Sequence, residues 1–384
     1  MNKYYNHTSN YDKYPVVNVP GTDGECYTGW DAIAECLNRD LMKINEKVKV
    51  VVLECYQGVL DEEVVVSLQA RFPASHWFYS ADAMLSSDEI NAILKQDITD
   101  DEIFGYMTRL NMDCYFDGKK LAELRSKVAA VKEGVVFVYG VGAAYVQQVY
   151  DLLVYADMAR WEIQMRFRRN EISNVGVENK EERASLQYKR AFFVDWRICD
   201  RFKKKLMREW DYVLDTNIAG TPKMATGKAV WAGLEKASQT PFRVVPFFDP
   251  GPWGGQWMKE VCDLDRNTAN FAWCFDCVPE ENSLYLGFGN VRFEIPSIDL
   301  VFAYPARLLG NPVYGRFGDE FPIRFDFLDT IGGQNLSLQV HPLTEYIKSH
   351  FGMTYTQDES YYILDCQDGG GVYLGLKDNI QPHE

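Results

Sequence analysis

The fold expected of the C-terminal half rests on two stretches, NLSLQVHP at residues 335–342 and QDESYYILD at residues 357–365. Side chains alternate between the two faces of a β-strand, so the first stretch predicts a strand with one apolar and one polar row. Pro342 ends that strand because proline has no N–H to give to a neighbour. A second strand-like run, residues 359–364, begins eighteen positions after His341. The apolar row is Leu336, Leu338 and Val340, and the polar row is Ser337, Gln339 and His341.

If the two runs are neighbouring strands, an amide, an imidazole and a carboxylate converge on one point. These groups belong to Gln339, His341 and Glu359. Imidazole and carboxylate together are suitable ligands for zinc or a similar divalent ion. The alternative is that Gln-x-His marks only a polar, half-exposed strand face, and the spacing alone leaves both interpretations open.

The same residues resemble the zinc-binding signature of the type I mannose-6-phosphate isomerases, which are cupins. LSLQVHPLTEY followed by QDESYYILD is similar to the metal motif of that family, in which Gln339, His341 and Glu359 occupy ligand positions. Trp-Gly-Gly at residues 253–255 and EFPIRFDFLD at residues 320–329 resemble further pieces of it. The resemblance implies an all-β jelly roll, a zinc cofactor, and interconversion of mannose 6-phosphate and fructose 6-phosphate.

The resemblance extends from about residue 242 to the end, and it also implies roles around the metal. Arg324 stands where the family often has a lysine and would reach the phosphate of the substrate, although an ion pair with a neighbour explains it equally well. Ser337 shares the strand face of the ligands and would line the site. The family's fourth ligand, a downstream histidine, and its catalytic arginine have no counterpart, since His383 is the one histidine after His350. We therefore expect an incomplete cupin domain.

Composition limits the partners. The chain has 384 residues, enough for two domains, and a formal net charge of −15. Such a charge argues against nucleic acid or an anionic membrane as a partner, whereas a small phosphorylated sugar needs only a local basic pocket. The sequence has no apolar run of the roughly 20 residues that a membrane helix needs. Nine cysteines without a regular spacing indicate reduced thiols and a cytoplasmic protein.

The first half has a different pattern. VKVVVLECY at residues 48–56 predicts a buried parallel strand, and a turn at Gln57-Gly58-Val59 leads into a helix that starts with acids. Strand, glycine turn and helix are the scaffold of a P-loop, but G-x-x-x-x-G-K-[ST] is missing, so the phosphate loop is eroded. Strands and helices then alternate, which predicts an α/β domain with a parallel sheet over residues 22–240, after an N-terminal arm at residues 1–21.

A basic stretch interrupts the acidic chain within this domain. Its cations are either solvated helix faces paired with local acids or a phosphate-binding lid, because guanidinium groups match phosphate oxygens. Residues 151–169 and 189–206 resemble a kinase-like P-loop domain of the uridine-kinase type. With the eroded loop, that resemblance implies a structural or regulatory, anion-sensing role. The cations are Arg160, Arg166, Arg168, Arg169, Lys189, Arg190, Arg197, Arg201, Lys203, Lys204, Lys205 and Arg208.

The two predicted domains meet near residue 240. Small polar residues and turn formers predict a linker near residues 215–227. Short strands separated by Gly, Pro and Asn turns follow from residue 241, among them residues 299–304, and favour a jelly roll over residues 241–384. Besides the zinc-dependent isomerase, two functions stay open: a non-catalytic sugar- or anion-binding regulatory protein, and a kinase-like nucleotide-binding protein.

Overall fold

The structure is a computed structural model that describes residues 8–377 and 379–381, so the predicted arm is seen from residue 8 and His383 lies outside the described residues. The strands are β1 (Val16–Asn18), β2 (Cys26–Thr28), β3 (Val48–Cys55), β4 (His76–Tyr79), β5 (Gly134–Gly140), β6 (Leu152–Asp157), β7 (Tyr212–Asp215), β8 (Lys223–Thr226), β9 (Phe247–Asp249), β10 (Trp273–Cys277), β11 (Ser283–Phe288), β12 (Val291–Pro296) and β13 (Phe325–Leu328).

The helices cluster between the strands of the first half and recur, shorter, in the second. They are α1 (Trp30–Leu41), α2 (Asp61–Arg71), α3 (Ser87–Ile98), α4 (Gly118–Ala130), α5 (Ala143–Val146), α6 (Arg160–Arg168), α7 (Ala184–Arg190), α8 (Trp196–Leu206), α9 (Gly227–Gln239), α10 (Trp257–Val261), α11 (Ile298–Ala303), α12 (Pro305–Leu309), α13 (Asn311–Phe317) and α14 (Thr344–Phe351). A π-helical turn, Ala191–Asp195, joins α7 to α8. No helix in the described residues is long and apolar enough to span a bilayer.

A sheet rich in parallel strands forms the centre of the molecule. Its order is β2-β8-β7-β6-β3-β5-β4, and the five strands from β7 to β4 run parallel. β3 lies in the middle, paired with β5 and β6, and its residues 51–55 are all buried, as is typical of a central parallel strand covered on both faces. The chain leaves β3 first toward β4 and β5, and later crosses to β6 and β7. In open α/β sheets such a reversal marks the place, at the carboxyl ends of the strands, where ligands bind.

Residues 215–227, predicted as a linker, lie within this sheet. β7 ends at Asp215, and β8 pairs with it antiparallel, with Asp215 opposite Lys223. β2 then pairs antiparallel with β8 and closes that side of the sheet. The domain boundary at residue 240 stays a prediction.

Two small sheets complete the fold. β1 pairs in parallel with β11, which pairs antiparallel with β12, so the N-terminal arm joins a hairpin from the second half. Leu284, Leu286, Phe293 and Ile295 from that hairpin are buried in the same core as the large sheet. The third sheet, β13-β10-β9, is antiparallel and covers a separate small core around Met258, Phe271 and Cys274. The molecule is therefore mixed α/β, with a parallel-rich sheet and antiparallel sheets.

Three strand predictions in the second half are wrong. Residues 299–304 lie mostly in α11, because the short apolar run buries Ile298, Leu300 and Val301 on helical turns instead of a strand face. Residues 337–341 and 359–364 have no regular secondary structure. β13 ends at Leu328, and no described strand lies beside either segment to pair with its backbone.

Candidate functional site

The loop after β3, where a phosphate would bind in a P-loop protein, is covered by helix α6. Gly58 has φ +104°, and a Cβ atom there would lie 2.7 Å from Ile163 of α6. Arg166, also in α6 and 1% exposed, donates from Nη1 to the Gly58 carbonyl at 2.7 Å and from Nη2 to the Thr216 carbonyl at 2.7 Å. The helix therefore occupies the carboxyl edge of the sheet at the point where the chain reverses.

A buried network of charges lies beside this loop. Lys203 donates to both oxygens of Asp157, at 2.7 and 2.9 Å, and to Asp299 at 2.9 Å. Burial alone would lower the pKa of Lys203, but the two carboxylates outweigh it and raise that pKa. Arg160 forms a close ion pair with Asp200, which also accepts from the Tyr56 hydroxyl at 2.8 Å. Because Asp299 belongs to α11, the network joins the second half of the chain to the parallel sheet.

The Gly-Val-Gly turn after β5 is also filled from within. The amides of Gly142 and Ala144 donate to the carboxyl group of Glu54 at 2.7 and 2.8 Å. Burial raises the pKa of Glu54 to about 8, against the effect of those amides. The amides of Gly142 and Ala144 therefore donate to a side chain of the protein itself and are not free to bind a ligand.

The structure brings together two of the three predicted metal ligands. His341 Nε2 lies 2.6 Å from Glu359 Oε2, and both side chains are about one-third exposed, 33% and 30%. The amide nitrogen of Gln357 lies 3.4 Å from the same imidazole nitrogen. A hydrogen bond from Tyr361, assisted by His341, lowers the pKa of Glu359. Two loop segments without strand pairing thus meet through an imidazole and an acid.

The other two predicted side chains on this face do not join the pair. Ser337 and Gln339 are exposed, and neither forms a hydrogen bond within the described residues. The reason is local: without a neighbouring strand, nothing fixes the alternation that would point Gln339 to the same side as His341.

Arg324 is held by an acid that sequence reasoning missed. Its guanidinium group lies 2.5 Å from Glu280 Oε1 and also donates to the Phe321 and Ile323 carbonyls. Glu280 is 8% exposed, and its second oxygen is buried without a partner. Arg324 therefore forms an ion pair with a neighbour, which was the alternative interpretation of this residue. Glu280 lies 44 residues away along the chain, a separation at which the sequence carries no local signal.

Gln357 and Tyr361 are the other contacts that sequence reasoning missed. Each lies two positions from Glu359, so a strict alternation would have placed all three on one side. That spacing was the signal available in the sequence. Within the described residues no group of three or more His, Cys, Asp or Glu side chains is placed to hold a metal ion.

The imidazole of His341 and the carboxylate of Glu359 are suitable ligands for a divalent ion, but their donor atoms would have to move slightly apart to bind one. Ligands at about 2.0–2.2 Å in a tetrahedron lie roughly 3.4 Å apart, more than the 2.6 Å between Nε2 and Oε2. Both side chains are partly exposed and lie in segments without regular structure, so rotation about their side-chain bonds would increase the distance between the two donor atoms to that value. Gln339 would have to turn toward them as the third donor.

Comparison with known proteins gives one family model and two similar curated proteins. A family model described as "Domain of unknown function (DUF8485)" matches residues 29–239. A stretch of 136 residues is 26% identical to mannose-6-phosphate isomerase ManA of Bacillus subtilis (strain 168), covering 34% of this chain and 39% of that protein. A stretch of 137 residues is 26% identical to the probable mannose-6-phosphate isomerase GmuF of the same organism, covering 35% and 41%. The chain thus spans about two fifths of the length of these curated relatives.

Proposed function

Since the chain belongs to the family described as "Domain of unknown function (DUF8485)", which names no activity, we propose a function from its C-terminal site: a zinc-dependent aldose–ketose isomerase acting on mannose 6-phosphate and fructose 6-phosphate. The observation that carries the proposal is the 2.6 Å approach of His341 and Glu359. The similarity to the two isomerases of Bacillus subtilis supports the same reaction.

In this proposal His341, Glu359 and Gln339 hold the metal ion. Zinc bound there supplies positive charge for the oxygen that becomes negative in an enediolate. The hydrogen bond from Tyr361 keeps Glu359 oriented, and it lowers the pKa of a carboxyl group that is ionised at neutral pH in any case. Both effects prepare the carboxylate to act as a ligand.

Two further side chains would contact the sugar phosphate. Arg324 would bind the phosphate group with its guanidinium fork once that group competes with Glu280. Ser337, exposed two residues before Gln339, would hydrogen-bond a sugar hydroxyl. Both assignments predict a weaker affinity for the substrate when the side chain is removed.

The test combines metal analysis with an assay of conversion of mannose 6-phosphate to fructose 6-phosphate. We expect bound zinc and turnover in the natural protein, and loss of both in His341→Ala. His350→Ala is the matched control, because His350 is an exposed histidine of the same segment whose hydrogen bonds, within the described residues, go to Ser349 and Tyr346. If His341→Ala retains zinc and turnover, the site is not at His341 and the proposal fails.

Two observations favour a second candidate, a sugar- or anion-binding protein without turnover. Arg324 already forms an ion pair with Glu280, and within the described residues Gln339 forms no hydrogen bond with His341 or Glu359. Binding of zinc and mannose 6-phosphate without conversion would support this candidate. The kinase-like alternative is opposed by the cover of Ile163 and Arg166 over the loop after β3. ATP-dependent phosphorylation that survives His341→Ala would support it instead.

A further inference from the structure

A cleft of about 740 Å³ opens between helices α3 and α7, in the α/β part of the molecule. This volume is in the range of sites for small molecules. One wall is the face of α3 that carries Asn91 and Lys95, and the other is α7 with Lys189 and Arg190. Loops at residues 99–102 and 177–183 form the mouth.

The inner wall carries a buried ammonium group that forms no ion pair within the described residues, although the carboxylates of Asp100 and Asp101 lie near enough to oppose the lowering of its pKa by burial. Lys189 is 4% exposed. Its Nζ atom donates to the carbonyl groups of Asp101 and Thr99, and in the described part of the chain its third N–H has no acceptor and no carboxylate forms an ion pair with it. Burial lowers the pKa of Lys189, an effect that an anion in the cleft would oppose.

The neighbouring side chain, Arg190, is also incompletely bonded. It is 6% exposed, and donates from Nη1 to Asn91 Oδ1 at 2.6 Å and from Nη2 to the Val175 carbonyl at 3.2 Å. Its Nε atom is buried without a hydrogen-bond partner, and the nearest carboxylate oxygen, on Asp195, is 3.7 Å away. Buried donors are nearly always bonded, so one without an acceptor indicates a missing partner.

The other buried cations of the basic stretch are neutralised inside the protein. Arg160 is paired with Asp200, and Lys203 with Asp157 and Asp299. Lys189 and Arg190 differ from them because they line an open cleft: within the described residues Lys189 has no ion pair, and Arg190 has only the 3.7 Å contact with Asp195, without a hydrogen bond to that carboxylate. Within the described residues, Lys189 and Arg190 are thus the buried cations of this stretch whose charge faces an open cleft.

The acids near the cleft mouth are partly engaged in other bonds. Glu102 pairs with Arg183 at 2.9 Å. Asp101 accepts from the amides of Ile103 and Phe104 through Oδ1. Asp100, Glu178 and Glu182 complete the acidic rim, which favours a ligand that is compact at its anionic end and enters between them.

We propose that this cleft binds a small ligand through a phosphate or carboxylate group, which accepts hydrogen bonds from Lys189 and Arg190. Guanidinium and ammonium groups are the donors that proteins use for such oxyanions. The site is separate from His341 and does not depend on the isomerase proposal.

The test is isothermal titration calorimetry of the full chain at constant ionic strength, with inorganic phosphate in one arm and succinate in the other. The arm that binds more tightly identifies the anionic group. Asn91→Asp is the decisive variant: it keeps the size of an exposed side chain while placing a carboxylate against Arg190. Lys189→Met removes the ammonium group, and Lys205→Met, at an exposed lysine of α8 outside the cleft, is the control.

We expect both cleft variants to weaken binding by about tenfold or more, as loss of a charge-assisted hydrogen bond does. Lys205→Met and His341→Ala should bind as the natural protein does. The proposal is overturned if neither anion binds the natural protein, or if Asn91→Asp, folded by circular dichroism, binds as tightly as Lys205→Met. Retained binding here with lost zinc in His341→Ala would separate this site from the proposed isomerase site.

Discussion

The parallel sheet and the segment after residue 335 both contain apolar runs typical of strands, but these residues are buried in the first region and exposed in the second. In β3 residues 51–55 are buried, and the strand pairs in register with a neighbour on each side. In the later segment the alternating apolar residues are exposed, Leu338 by 77% and Val340 by 85%. An apolar row therefore specifies a strand only where another strand bonds its backbone and other elements cover its apolar face.

The same contrast holds for polar groups. Lys203 and Asp299 are almost fully buried and depend on each other, whereas His341 and Glu359 meet in partial solvent. Removing a partner from a buried ion pair leaves an uncompensated charge, while an exposed pair is replaced by water. Single substitutions should therefore have large effects in the first region and small effects in the second.

The largest effect is expected at Lys203. Lys203→Ala leaves Asp157 and Asp299 buried without their cation, and should lower the free energy of unfolding by about 3–5 kcal/mol. Lys205→Ala, two positions on and exposed, should change it by about 0.5 kcal/mol or less. Urea denaturation followed by circular dichroism measures both. Equal effects of the two variants would show that the network adds nothing to the stability of the sheet.

A smaller effect is expected at Gly58. Gly58→Ala places a Cβ atom 2.7 Å from Ile163 at φ +104°, so crowding and backbone strain together should destabilise the protein by about 2–3 kcal/mol. Gly371→Ala, which meets nothing within 4 Å, should be nearly neutral. Thermal unfolding of the two variants side by side tests whether α6 packs firmly on the loop. A neutral Gly58→Ala would mean that the helix moves away easily.

The sequence predicted the parallel sheet well because its strands are continuous apolar runs between turns. β3 and β5 have this character, and each is buried at most positions. It failed at residues 299–304, where a run of six apolar and polar residues has no periodicity long enough to separate helix from strand. There the helix buries Ile298, Leu300 and Val301, and Asp299 at its start accepts a hydrogen bond from Lys203, 96 positions away in the sequence.

The candidate site was predictable only in part, for the same reason. The residue types at His341 and Glu359 indicated a pair, and the two side chains do meet across 18 positions. The expected strands, the third donor at Gln339 and the partner of Arg324 depend on contacts between distant segments. Glu280, for example, is an ordinary acid in sequence and becomes significant only because Arg324 lies against it.

The pH dependence of stability gives a third comparison. The pKa of Glu54 is raised from 4.5 to about 8 in the folded state, first by burial. The folded protein therefore holds more protons than the unfolded chain between these values, and Glu54 makes stability fall as the pH rises from 4.5 to 8, by at most about 1.4 kcal/mol per pH unit. Glu54→Gln should flatten this decline in urea denaturation at pH 5, 6.5 and 8. An unchanged slope would contradict the assignment to Glu54.

The smallest effect on stability is expected at Glu359, where the sign is reversed. The pKa of Glu359 is lowered, first by the Tyr361 hydrogen bond and also by His341, so its contribution is present at neutral pH and is lost as the pH falls through the folded pKa. Because the pair is partly exposed, Glu359→Gln should change the free energy of unfolding by about 0.5 kcal/mol or less at pH 7. The same substitution should abolish zinc binding in the proposed isomerase site, measured by metal analysis. A variant that is stable yet bare of zinc would place the role of this residue in binding, whereas a strongly destabilised variant would show that the segment after residue 335 is held more firmly than its exposure indicates.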